Sequence, residues 1–165
     1  MDSHKTESSS ESQARRLEQV YEQVASLLAQ PEVAARLRTA PGESEWSAMQ
    51  TLGHVTEMIP YWLHHCRTLM AATGAPPDFG RTPGSPERLA GVAHGATAEP
   101  HALLDQLRRE VRAAAGAIRG LSEAERSKRG RNRERGEMTV ADVVESFIVR
   151  HAEDHLGQVR TALGR

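Results

Sequence analysis

Apolar positions recur at three- and four-residue intervals over most of the chain, the period of one face of an α-helix. From about Gln13 the series Leu17, Val20, Tyr21, Val24, Leu27 and Leu28 predicts a first helix. Pro31 interrupts it and starts a shorter helical turn through Val33 and Leu37. After a loop at 40–45, Ser47 stands as an N-cap with Gln50 three residues on, a capping box that opens a second helix. Leu52, Val55, Ile59, Trp62, Leu63, Cys66 and Met70 form its main apolar arc, and Gln50, His54, Met58, Tyr61 and His65 share the neighbouring one. Pro60 lies within this pattern and predicts a kink or a lost hydrogen bond that shifts the phasing after it.

Residues 72–86 are rich in Gly and Pro and too long for a tight turn, which predicts a crossover or a lid over one end of a bundle. A short helical piece follows over 86–93. A third long helix is expected from an N-cap at Thr97 through Leu103, Leu104, Leu107, Val111, Ala114, Ala115 and Ile118, ended by Gly120. Periodicity stops between Ser122 and Met138 and resumes from Thr139 to Leu163, where Val140, Val143, Val144, Phe147, Ile148, Val159 and Ala162 line one side of a fourth helix. The fold class is therefore all-α: a four-helix bundle with a long connection between the second and third long helices. Residues 13–165 make one domain, behind a Ser-rich stretch, 1–12, expected to be a disordered tail.

Composition agrees with helices packed on helices, because 38% of residues are hydrophobic but only 4% aromatic, the remainder being mostly Leu, Val, Ala and Met. Lys and Arg number 21 against 22 Asp and Glu, so the chain offers no general field for gathering nucleic acid. The lone Cys66 fits a reducing compartment and no internal disulfide. No apolar run is long enough to span a bilayer, and a cytoplasmic, membrane-free protein is expected. Local charge is concentrated in RSKRGRNRER, residues 126–135. With no interleaved aromatics for base stacking, this run reads first as a solvated loop, then as a contact for an anionic small molecule or acidic partner through Arg129, Arg131 and Arg133, and last as a nucleic-acid contact.

His151 and His155 interrupt the apolar stripe of the fourth helix. Four residues apart, they leave the same face about 6 Å apart along the axis. Such a pair can chelate a divalent metal from one rigid element, or each ring can be a core histidine satisfied by a hydrogen bond. A metal centre open to a reactant needs a third protein ligand from elsewhere. His54 is the first candidate by its place inside the second helix, and His65 the second.

WSAMQTLGHVTEM, followed after a long middle section by MTVADVVESFIVRHAEDHLGQVRTAL, resembles the DinB-like (YfiT-like) superfamily of four-helix-bundle metalloenzymes. Its features are matched by Trp46-Ser47 at the start of the second helix, by Leu52-Gly53-His54, and by His151, His155 and Gln158 in the fourth helix. The resemblance implies a divalent metal, zinc first and nickel or iron next, held by His54, His151 and His155. It further implies a homodimer acting on a small-molecule substrate. The expected activity is that of a low-molecular-weight-thiol-dependent S-transferase, or of a hydrolase, acting on small electrophiles. The alternative is a non-catalytic metal-binding or stress-response bundle.

Gln158, Gln50, Glu57 and Tyr61 are the polar residues near enough in wheel angle to orient the rings, and Tyr61 could also donate to a developing oxyanion. Each also has a plain reading, Tyr61 as packing and Glu57 as a solvent-facing carboxylate. HAEDH is not the HExxH motif of metalloproteases, since Glu153 comes one place late and points outward on the wheel.

Overall fold

Caps and apolar stripes set the elements of the computed structural model, which describes residues 9–165. Helix α1, Ser10–Leu28, begins at Ser9, whose hydroxyl accepts from the Ser12 amide at 3.1 Å. Ordered helix thus starts inside the stretch expected to be a disordered tail, because Gln13 and Ala14 are already buried against the rest of the chain. Residues 1–8 of that tail lie outside the described residues. A 3-10 turn, Pro31–Arg36, leads to α2, Ala48–Ala71, which opens on the expected capping box: the Gln50 side chain accepts from the Ser47 amide and the Ser47 hydroxyl from the Gln50 amide. Helix α2 continues through Pro60 without a break, so the histidine-bearing arc keeps its register further than expected.

The connection from α2 carries strand β1, Asp78–Phe79, and a complete helix α3, Pro86–Thr97. Thr97 ends α3 instead of capping the next helix. That cap is Glu99, whose carboxylate accepts from the Ala102 amide at 2.9 Å and opens α4, Pro100–Arg119. A short α5, Glu123–Arg126, precedes strands β2, Arg129–Asn132, and β3, Gly136–Thr139. Thr139 then caps a last rod made of α6, Val140–Val143, a π-helical segment, Val144–Val149, and α7, Arg150–Ala162.

Helices α1, α2, α4 and the last rod form the four-helix bundle, with Leu17, Met49, Leu52, Leu107, Ile118 and Ile148 fully buried at its centre. The basic run is the main departure from expectation. It is not a free loop: β2 pairs antiparallel with β3 and parallel with β1, giving a small sheet of order β1-β2-β3. Arg129 and Arg131 face outward at alternate positions, while Gly130 and Asn132 face inward. A Cβ on Gly130 would come within 2.8 Å of the Leu69 and Phe79 side chains, so only glycine lets this strand lie on the end of the bundle. No described helix is long and apolar enough to cross a membrane.

Helix α3 lies on α2 at backbone contact. A Cβ on Gly53 would meet the Gly91 carbonyl at 2.3 Å, and one on Gly95 the Met49 carbonyl at 2.2 Å. Backbone cannot yield as a side-chain tip can, so Gly53→Ala or Gly95→Ala must push the helices apart. Each should destabilise the fold by about 1–3 kcal/mol in urea unfolding. Gly116→Ala, on the open face of α4 with nothing within 4 Å, should leave stability unchanged or raise it.

Candidate metal centre

The crossing of α2 and α7 brings His54, His151 and His155 together, with one ring nitrogen of each within 4.8 Å of the others. Ring centroids lie 5.6 Å apart for His54 and His151, and 4.6 Å apart for His155 with either. His54 is 1% exposed and His155 7%. The Gln158 side-chain oxygen lies 2.8 Å from His155 Nδ1, so that nitrogen donates its proton and Nε2 is left with a free lone pair. His155 Nε2 and both ring nitrogens of His54 are buried without a hydrogen-bond partner.

Buried polar atoms are nearly always paired, and the orphaned nitrogens of His54 and His155, with a nitrogen of His151 within the same 4.8 Å, call for a common partner. Burial, and then His155 and His151, push the pKa of His54 down to about 2. Burial and His155 push His151 down to about 4, and burial lowers His155 against the pull of its Gln158 hydrogen bond. All three rings are therefore neutral at physiological pH, the form that ligates a metal. Three neutral imidazoles from two rigid helices, opening on a cavity, fit a divalent transition metal that retains an open position.

That cavity, of about 930 Å³, is lined by all three histidines, by Trp62, Phe79 and Phe147, and by Arg81, Arg88, Arg131 and Arg133. Of the basic residues singled out in the sequence, Arg131 and Arg133 reach it. Arg129 lies instead beside Glu137, at 4.0 Å across the hairpin. His65, the second candidate ligand, lines the cavity but stands apart from the triad, against Tyr61 and Trp62.

Glu57 is neither solvent-facing nor free. Arg81 donates to both its oxygens, at 2.6 and 2.9 Å, and the nearer contact to His54 Nδ1 is 4.0 Å, too long for a hydrogen bond. Tyr61 does not line the cavity; its ring lies 4.0 Å beneath the Arg81 guanidinium. Glu153, outward and partly exposed as expected, pairs with Arg16 of α1 at 2.6 Å. Burial pushes the Cys66 thiol up to about 12, which keeps it protonated and unreactive.

Several residues of the site were legible in the sequence only as core positions or as part of the family pattern, not as parts of the site. Trp46 stands 5.3 Å from the His54 ring and stacks at 6.3 Å on His155. Trp62 and Phe147 stack at 4.6 Å in the cavity wall. Arg81 and Arg88 come from the long connection, and only their charge marked them. The π segment was also unforeseen. Its wider turn takes one residue more than an α turn, which re-aims the face of α7 by roughly 100° relative to a straight helix.

Two consequences are measurable. An unfolded imidazole takes up a proton near pH 6.5, whereas the folded His151 resists until about 4. The unfolded chain therefore binds more protons as pH falls below the unfolded value, and stability is lost in that direction. The Tm of metal-free protein should be flat above that value and fall progressively toward pH 4, with a shallower fall in His151→Gln. Gln158→Ala should weaken metal affinity by about 10–100-fold by releasing the His155 ring, as read by competition with a chromogenic chelator.

Comparison with solved structures finds YfiT from Bacillus subtilis, described as "a probable metal-dependent hydrolase with an unusual four-helix bundle topology". The TM-score is 0.72 at 13% identity, over 99% of this chain and 94% of that one, which shows a shared fold. No curated protein matches significantly. The family profile of the DinB superfamily matches residues 15–159, nearly the whole bundle and all three histidines, and the chain belongs to that superfamily.

Proposed function

We propose that the protein is a metal-dependent enzyme acting on small electrophiles, as a hydrolase or as an S-transferase using a low-molecular-weight thiol. The observation that carries this reading is the set of orphaned, buried imidazole nitrogens facing a cavity large enough for a small molecule. A divalent ion held by His54, His151 and His155 would supply Lewis acidity, turning a water or thiol into a nucleophile near neutral pH.

The protein's own groups have separable tasks. Gln158 Oε1 holds the proton on His155 Nδ1 and so fixes which nitrogen faces the centre. Trp46 braces the His54 and His155 rings, and the Trp62–Phe147 stack gives the cavity a wall that sheds water. Glu57 is taken up by Arg81 on both oxygens, so its task is to hold that arginine and not to accept a proton from the reactant.

The family resemblance and the fold shared with YfiT support the same reading. Purified protein should carry about one equivalent of transition metal per chain, lost in His54→Ala and His151→Ala. Incubation with monochlorobimane plus each candidate thiol, and with activated esters, should give turnover that chelation abolishes. Stoichiometric metal without turnover would make the bundle a metal-binding protein, and absence of metal would sink the reading altogether.

A further inference from the structure

Among the described residues, Arg88 is a half-buried arginine of the cavity with no carboxylate partner. Arg81 is taken up by Glu57, and Arg131 and Arg133 stand exposed on the hairpin. Arg88 is half-buried, lies 4.8 Å over the Trp46 ring and donates from Nη1 to the Pro83 carbonyl at 2.7 Å; it forms no ion pair among the described residues. It also lines a second cavity, of about 740 Å³, that shares His155 with the first. Its positive charge is felt by all three imidazoles.

We infer that the cavity takes a small carboxylate-bearing molecule with an apolar body, the carboxylate held by Arg88 and the body lying against Trp62, Phe79 and Phe147. A half-buried guanidinium keeps several N–H donors in a planar fork that matches a carboxylate. The aromatic wall supplies the apolar area such a molecule must cover, and the indole N–H of Trp62 is buried without an acceptor. Asp78 and Glu134 line the same cavity and offset part of its arginine charge, and a carboxylate adds less repulsion against them than a doubly charged phosphate would. This assignment rests on the reading that the histidine-lined cavity holds the reactant.

The chain has two tryptophans, one under Arg88 and one in the aromatic wall, so two indole N–H signals report the site. Nitrogen-labelled protein, metal-loaded and metal-free, would be titrated with trans-cinnamate, with neutral cinnamamide and with phenyl phosphate. Cinnamate should shift the Trp62 signal saturably, about tenfold more tightly than cinnamamide, a difference of about 1.4 kcal/mol. Arg88→Gln should abolish that preference, Arg88→Lys should restore part of it, and Arg131→Gln should leave most of it.

Equal binding of acid and amide would overturn the inference. So would a preference that survives Arg88→Gln but vanishes on metal removal, which would place the carboxylate on the ion. Tighter binding of phenyl phosphate than of cinnamate would overturn the assignment to a carboxylate. Failure of the metal reading is distinguishable, because metal content and the charge preference are measured on the same samples.

Discussion

Buried imidazole nitrogens left unpaired where three histidines meet are a liability that the rest of the structure is arranged to maintain. An unsatisfied buried polar group costs about 1–3 kcal/mol, and here His54 alone presents two such nitrogens while His155 presents one. Left to relax, the rings would rotate to find hydrogen bonds or admit water. They are held because each is fixed from behind: His155 by Gln158, His54 by its place inside α2 with Trp46 alongside, and His151 by its stacking on His155. A ligand that binds the three nitrogens recovers that free energy, so the fold is pre-strained toward binding.

The scaffold that maintains this arrangement is unevenly rigid by design of its contacts. Gly53 and Gly95 let α3 touch α2 at the backbone, and Gly53 is the residue next to His54. On the other side, Arg16 of α1 reaches across to Glu145 at 3.0 Å and Glu153 at 2.6 Å. Burial would raise the Glu145 carboxyl, but hydrogen bonds from Arg16 and Gln13 hold it below the usual range. Glu145 lies in the π segment and Glu153 lies between the two histidines of α7. One guanidinium therefore ties the widened turn to the turn that carries His151 and His155. Breaking such a pair on one side would leave a partly buried charge uncompensated.

Much of this was legible in the sequence because long amphipathic helices are written in a strong period. The capping box at Ser47, the buried stripe of α4 and the family features around His54, His151, His155 and Gln158 all correspond to particular residues found in those places. What was not legible has physical reasons. The strands at 129–132 and 136–139 turn Gly130, Asn132 and Met138 inward, only the last of them apolar, so a period of two carried little hydrophobic signal. Asn132 acts through its side chain, accepting from the Glu134 and Arg135 amides to close the hairpin. Helix α3 has buried glycines where a packed helix ordinarily shows leucine or valine, so its face is invisible to hydropathy. The π turn is held to α1 by an ion pair between residues more than a hundred positions apart, which no local window contains.

The same distribution explains how the cavity acquires its character. The two helices that carry the imidazoles belong to the bundle core, whereas the arginines come from the connection after α2 and from the hairpin, elements packed on the bundle's end through Gly91, Gly95 and Gly130. On the proposed reading, metal ligation and charge recognition would fall to different layers of the fold. Arg88, Arg131 and Arg133 lie outside the bundle core, whereas Arg81 is packed over Tyr61 and Trp62 and paired with Glu57. A change at His54 or His155 reaches the core as well as the centre, since each is buried there. The histidine layer is thereby tied to folding, and the exposed arginines of the hairpin are tied to it least. It follows that the chemistry of the centre can be kept while the molecules admitted to it are changed through the long connection and the hairpin.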